Sequence, residues 1–360
     1  MHHPLYASLD EMLSREALSN LEGGIVTAVR RTPFHSVDSL SGSRFDAIET
    51  NGGNGERYIV KRIALEWDWI MRATDDQRAR AVVAWQSGLL DRLPPEVTSG
   101  VLACARDGKG WAILMRDFSE VMVPPGDDPI SAADNERFLE AMAAFGAAFW
   151  QEPRAADPAL GFVDRRLLYA ALSPRTGRRE AGGSNPVPNV LVEGWKLLSE
   201  AIDPGLAGAL DKLVEDPQPL CDALLRYPQT VVHGDWKLGN LGLLPGNPPQ
   251  VVLLDWAIVG PAAPAAELAW YLAVNSARLP VSKEVAGACY RDALLRRLGS
   301  CFDEAWWQPQ LDLGLLGAFL MLGWSKALGA VQGHSPAVRA RERAELTWWS
   351  EHAQTAMKWL

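Results

Sequence analysis

The apolar residues of this chain change their period once, and the change divides the sequence into two regions. Between residues 22 and 117 they fall in short runs rich in β-branched side chains. Residues 25–34 form the first run. Residues 44–50 form the second, with Phe45, Ala47 and Ile48, and residues 58–63 the third. Asn51-Gly52-Gly53-Asn54-Gly55 separates the last two and predicts a hairpin turn, because Gly and Asn tolerate positive φ. Thr74 as an N-cap predicts a helix over residues 74–93, stopped by Pro94-Pro95. Residues 97–105 and 111–115 read as a second hairpin around Asp107-Gly108.

After residue 117 the period becomes helical. Ser131 with Asp134 three residues on resembles a capping box, and Phe138, Met142, Phe145 and Phe149 recur at helical spacing. Residues 177–188, rich in Gly, Pro, Arg and Ser, read as a long loop. Two short apolar strands follow, at residues 230–232 and 251–254, and everything after Ala265 reads as helix. There is no internal repeat. The expectation is an α+β chain. Residues 1–117 form a small β-rich N-terminal lobe with a hinge at its end, and residues 118–360 a larger, mainly helical C-terminal lobe with a small sheet.

Composition narrows the partners. The 360 residues are 48% hydrophobic, with a formal net charge of -9 and a pI of about 5.3. No Lys/Arg block offers a surface for a nucleic acid or a membrane, so neither is expected. A cationic or neutral partner fits the charge better, although solubility alone accounts for it. Cys104, Cys221, Cys289 and Cys301 form no CxxC pair, and reduced thiols are expected. The N-terminus is acidic without an apolar run, and the longest apolar stretch, residues 313–324, is too short to span a bilayer. These features predict a cytoplasmic protein.

The chemistry concentrates in Val231-Val232-His233-Gly234-Asp235-Trp236-Lys237-Leu238-Gly239-Asn240, with Asp255 fifteen residues after Asn240 at the end of a second apolar run. Such a group suits phosphoryl transfer. One carboxylate can accept the proton of an attacking hydroxyl. A second carboxylate and an amide oxygen can hold Mg2+, a hard cation that prefers oxygen. Among other chemistries, there is no Walker A run, HExxH, GxSxG or CxxC, and the remaining histidines form no metal-ligand pattern.

The segment resembles the catalytic loop of the aminoglycoside phosphotransferase and choline kinase superfamily, matching HGDxxxxN at His233, Gly234, Asp235 and Asn240. Protein kinases carry Arg where this chain has Gly234, which favours the small-molecule branch. The resemblance covers residues 25–273 and implies a two-lobed, protein-kinase-like fold with ATP or GTP and Mg2+ as cofactors. The partner it implies is a small hydroxylated acceptor. Asp235 is then the catalytic base, and Asn240 and Asp255 the metal ligands. His233 braces the loop. Lys237 either contacts the transferred phosphate or faces solvent, and Trp236 either walls the acceptor site or packs in the core. Lys61 matches the strand lysine that contacts the α- and β-phosphates. Ser41, Gly42 and Ser43 fall in the phosphate-covering loop, with one Gly where the family has three. Met115 and Asp117 lie in the hinge that meets adenine. Trp256-Ala257 replaces Phe-Gly after the metal-binding Asp.

One family part is missing. No Glu occurs in residues 74–93 to pair with Lys61, and Ala81 stands where it would be. Glu66, Asp68 or Asp76 could substitute. Downstream, Glu267 stands where the family has Asp and should anchor a helix start near the catalytic loop. Trp270, Trp306, Trp307, Trp324, Trp348 and Trp349 are either bundle core or, with Asp303 and Glu304, an aromatic and acidic wall for a cationic or sugar-like acceptor. The reading is a small-molecule kinase. A nucleotide-binding pseudo-enzyme is the alternative, and a protein kinase is disfavoured because no activation-loop segment follows Asp255.

Overall fold

The structure is a computed structural model and describes residues 2–36 and 39–360. Along the chain, α1 (Leu9–Met12) and α2 (Arg15–Glu22) precede β1 (Val26–Phe34), β2 (Arg44–Gly52) and β3 (Arg57–Ile63). Then come α3 (Trp69–Ala73), α4 (Arg80–Gln86), β4 (Val97–Thr98), β5 (Val101–Asp107) and β6 (Gly110–Arg116). A helical stretch follows: α5 (Ala132–Ala148), α6 (Arg165–Ala170), α7 (Pro174–Glu180), α8 (Pro186–Ala201), α9 (Pro204–Glu215) and α10 (Gln218–Leu225). After β7 (Thr230–Val232), β8 (Leu241–Leu244), β9 (Gln250–Leu253) and β10 (Gly260–Ala262), the helices α11 (Pro264–Val274), α12 (Lys283–Leu298), α13 (Glu304–Gln332) and α14 (Pro336–Ala356) complete the order.

The chain divides into two compact units. The first comprises Met1–Pro125, Pro158–Gly161 and Leu238–Ala257. Its main sheet is antiparallel, in the order β1-β2-β3-β6-β5. The turn between β2 and β3 forms where Asn and Gly predicted it, with Gly52, Gly53 and Gly55 at positive φ. Side chains alternate along a strand, so Tyr58 and Val60 of β3 share a core with Leu9, Met12 and Leu18 of the first helices. Lys61, one step on, points to the other face. A small second sheet, β4-β9-β8, completes the unit, with β4 parallel to β9. That pairing explains why residues 238–257, expected with the helical region, pack with the strands instead.

The helix expected over residues 74–93 does not form as one piece. Asp68 caps α3 by accepting the Ile70 and Met71 N–H groups, so Thr74 ends a helix rather than starting one. Asp75 and Ala79 take left-handed φ, and the Asp76 carboxylate accepts the Arg80 N–H, which folds the intervening residues into a turn. Gly88, at φ +73, stops α4 after two turns.

The second unit comprises Gly126–Asp157, Phe162–Lys237 and Ile258–Leu360. Ser131 Oγ accepts the Asp134 N–H at the start of α5, and Phe138, Met142, Phe145 and Phe149 are buried, as their spacing predicted. The loop expected over residues 177–188 shrinks to residues 181–185. Pro174 and Pro186 sit in the first turns of α7 and α8, where a missing N–H costs nothing, so proline starts helices here instead of breaking them. β10 escaped the sequence reading because Gly260-Pro261 looks like a turn; it pairs antiparallel with β7. At 29 residues, α13 is long and apolar enough to cross a membrane, but it is mostly buried and packs against α8, α11 and α14 as the central helix of this unit.

Candidate active site

The residues expected to meet the nucleotide all lie in the first unit. Lys61 is buried on β3, and its Nζ lies 2.7 Å from Asp255 Oδ1. Asp255 follows β9 at φ +67, a left-handed conformation that costs a non-glycine residue on the order of 1–3 kcal/mol and recurs at functional sites. The Leu254 N–H donates to Asn240 O at 3.0 Å, which ties the residue before Asp255 to Asn240. Of the three acids open as partners for Lys61, none forms an ion pair with it; Asp68, bonded to Ser43 Oγ and the α3 N–H groups, is the one whose carboxyl feels the Lys61 charge. Burial pushes the Asp68 carboxyl up, and the Lys61 ammonium pulls it down. Asp76 is committed to Arg80, and Glu66 is exposed. Asp68 lies outside residues 74–93, where the resemblance implies the Glu; its seven-residue distance from Lys61 carries no signal of its own.

The serine-rich loop is anchored to α3. Trp69 donates its backbone N–H to Ser41 O and its indole N–H to Leu40 O, at 3.0 and 2.7 Å. Ser43 Oγ lies 2.9 Å from Ser41 Oγ and donates to Asp68 Oδ2 at 3.0 Å, with Gly42 at φ +102 between the serines. At the expected hinge, Met115 is a buried β6 residue paired with both Ile59 and Val101. The Arg116 and Asp117 N–H groups donate to Gly100 O and Arg57 O, and the Asp117 carboxylate pairs with Arg57 at 3.2 Å.

Asp235 and Lys237 belong to the second unit. Gly234 adopts φ +90, and a Cβ there would stand 2.7 Å from Ile258 O, so the larger residue of protein kinases has no room at this position. One helix holds the whole turn. Glu267 of α11 accepts the His233 N–H at 2.6 Å and the Gly234 N–H at 2.9 Å. Trp270, one turn on, donates its indole N–H to Asp235 Oδ1 at 3.0 Å. Asn275, at the helix end, donates to Trp236 O at 2.8 Å. His233 Nδ1 accepts the Asp235 N–H at 3.2 Å, a bracing role. Burial pushes the Glu267 carboxyl up to about 7, against the pull of Arg165 and the two N–H groups. Glu267 therefore reaches the loop backbone itself, beyond the helix-start role the sequence suggested.

The tryptophans separate by location. Trp236 is fully buried, and Trp306 and Trp307 cluster with Phe302. Asp303 caps α13 and Glu304 pairs with Arg291, so these residues form core and helix cap rather than an aromatic and acidic wall. Trp270 is the one that reaches the predicted base. Its signal was the three-residue spacing from Glu267, which puts both on one helix face.

The family model described as "Phosphotransferase enzyme family" matches residues 39–309. No curated protein matches the chain significantly. Among solved structures, the choline kinase LicA from Streptococcus pneumoniae is similar at 12% identity, covering 94% of this chain and 97% of that one, with a TM-score of 0.49. A Plasmodium vivax ethanolamine kinase is similar at 11% identity, covering 89% and 81%, with a TM-score of 0.46. The Streptomyces rimosus aminoglycoside phosphotransferase APH(3'')-Id, in complex with ADP and streptomycin, is similar at 18% identity, covering 79% and 94%, with a TM-score of 0.44.

Proposed function

We propose, since the chain belongs to the phosphotransferase enzyme family, that it transfers the γ-phosphoryl group of a nucleoside triphosphate, ATP by preference, to a hydroxyl of a small acceptor. The acceptor is cationic or sugar-like, in keeping with the net charge of -9. The observation that carries this reading is the contact of Lys61 with Asp255 at 2.7 Å, with Asn240 tied to the residue before Asp255 by the Leu254 N–H bond. A buried lysine beside a strained, part-exposed carboxylate is poised to exchange that partner for phosphate oxygens.

Asp235 takes the proton of the acceptor hydroxyl as the acceptor oxygen bonds to the γ-phosphorus. The bond from that phosphorus to the bridging oxygen breaks, and the nucleoside diphosphate leaves with the electron pair. Lys61 holds the α- and β-phosphates, and the backbone and hydroxyls of Ser41, Gly42 and Ser43 cover them. Met115 and Asp117 border the base of the nucleotide, and Lys237 meets the transferred phosphate. Asn240 and Asp255 offer oxygen donors, which fit Mg2+, and the Asp255 carboxylate is 29% exposed and open to a ligand. When bound, the cation neutralises charge on the phosphates. A nucleotide-binding pseudo-enzyme is not favoured, because Lys61 has the Asp255 carboxylate at 2.7 Å and a second carboxylate, Asp68, feels its charge, although residues 74–93 lack a Glu. A cytoplasmic location suits a nucleoside triphosphate donor and the free thiols.

The test is ADP release from Mg-ATP with streptomycin, other aminoglycosides, choline, ethanolamine, amino sugars and neutral sugars as acceptors. Acceptor-dependent turnover is expected. Asp235→Asn should lower it about 100- to 10,000-fold while the thermal shift with Mg-ATP persists, and Asp255→Ala should abolish that shift. Near-normal turnover in Asp235→Asn would sink the base assignment. No acceptor-dependent turnover across the whole panel would sink the kinase reading.

A further inference from the structure

We propose that Trp270 is a positioning residue for the base: its indole N–H holds Asp235 Oδ1 and so orients the carboxylate that receives the acceptor's proton. The inference rests on Asp235 being the base. An indole nitrogen only donates, and here it donates to Oδ1 at 3.0 Å. A hydrogen bond to an ionised carboxylate is roughly twice as strong as one between neutral groups. It therefore restrains rotation of the carboxylate about its Cβ–Cγ bond.

The donor is itself held in place. Trp270 lies one helical turn beyond Glu267, whose buried carboxylate receives the His233 and Gly234 N–H groups. Five residues further, Asn275 donates to Trp236 O and to Tyr271 O, which closes the end of the same helix onto the loop. Residues 233–236 are thus each gripped by α11. Three of these contacts go to backbone atoms and set the path of the turn. The Trp270 contact goes to a carboxylate oxygen, so of the four it alone touches a reacting group. Positioning a base to a fraction of an ångström contributes to rate without contributing to nucleotide affinity.

That separation defines the experiment. Trp270→Phe keeps a ring in place and removes the N–H. ADP release from Mg-ATP is measured with streptomycin, choline and ethanolamine as acceptors. In Trp270→Phe, kcat should fall roughly ten- to a hundredfold, with the KM for ATP and the melting temperature unchanged. In the Asp235→Asn background the same substitution should add no further loss. In parallel, the indole N–H signals of the 15N-tryptophan-labelled full chain are recorded without nucleotide. The signal absent from Trp270→Phe should shift in Asp235→Asn. Unchanged kcat in Trp270→Phe overturns the proposal, and so does a fall accompanied by lost ATP affinity or stability. Full loss in Asp235→Asn together with unchanged kcat in Trp270→Phe defeats the positioning role and leaves the base standing. Where no acceptor turns over, an indole signal indifferent to Asp235→Asn overturns the proposal.

Discussion

Glu267→Gln makes the grip of α11 on the loop that carries Asp235 measurable through pH. Glu267 is 3% exposed and accepts two backbone N–H groups, at 2.6 and 2.9 Å. Burial is the largest influence on its carboxyl and raises it from an ordinary 4.5 to about 7; Arg165 and the two N–H groups oppose the rise, and Asp235 adds to it. Between these two values the folded protein holds a proton that the unfolded chain has released. The contribution of Glu267 to stability is therefore full below pH 4.5 and lost as pH rises to 7. The loss is about 1.4 kcal/mol per pH unit, or about 3 kcal/mol over the window. Glutamine does not titrate. The difference in unfolding free energy, wild type minus Glu267→Gln, should therefore fall by about 3 kcal/mol across that window and stay level above it. Urea unfolding of both proteins at intervals from pH 4.5 to 8.5 reads the difference directly. A flat difference, or one that grows with pH, would refute the argument that burial dominates this carboxylate.

Two further substitutions probe the strained turns. Gly234→Ala places a Cβ 2.7 Å from Ile258 O at φ +90; unfolding in urea should show a loss of about 2–4 kcal/mol, and wild-type stability would mean the turn relaxes freely. Asp255→Gly and Asp255→Ala both remove the partner of Lys61, but only glycine relieves φ +67, so thermal or urea unfolding should find the glycine variant more stable by about 1 kcal/mol.

The strands of the first unit were legible because short β-branched runs and the Asn-Gly turn are local signals, and tertiary packing reinforced them. The helix over residues 74–93 was misread for the opposite reason. Its pattern is helical, but the carboxylate of Asp76 captures the Arg80 N–H and Arg80 in turn donates to Thr74 O and Ala257 O, so a buried polar network outweighs propensity. The placement of residues 238–257 was equally hidden, because β9 finds its parallel partner β4 more than 150 residues earlier, at Val97 and Thr98.

The sequence by itself determined the reaction class. His233, Gly234, Asp235, Asn240 and Asp255 are close along the chain, and the chemistry of each residue type is intrinsic to it. Tertiary structure alone decided which groups serve them. It put Asp68, rather than Glu66 or Asp76, within the field of Lys61, set Glu267 on the backbone of the turn that carries Asp235, and drew Trp270 onto Asp235 while Trp236, Trp256, Trp306, Trp307, Trp324 and Trp349 filled the core. The physical reason is that a polar side chain acquires its role from the partner it meets, and these partners meet only when distant segments fold together.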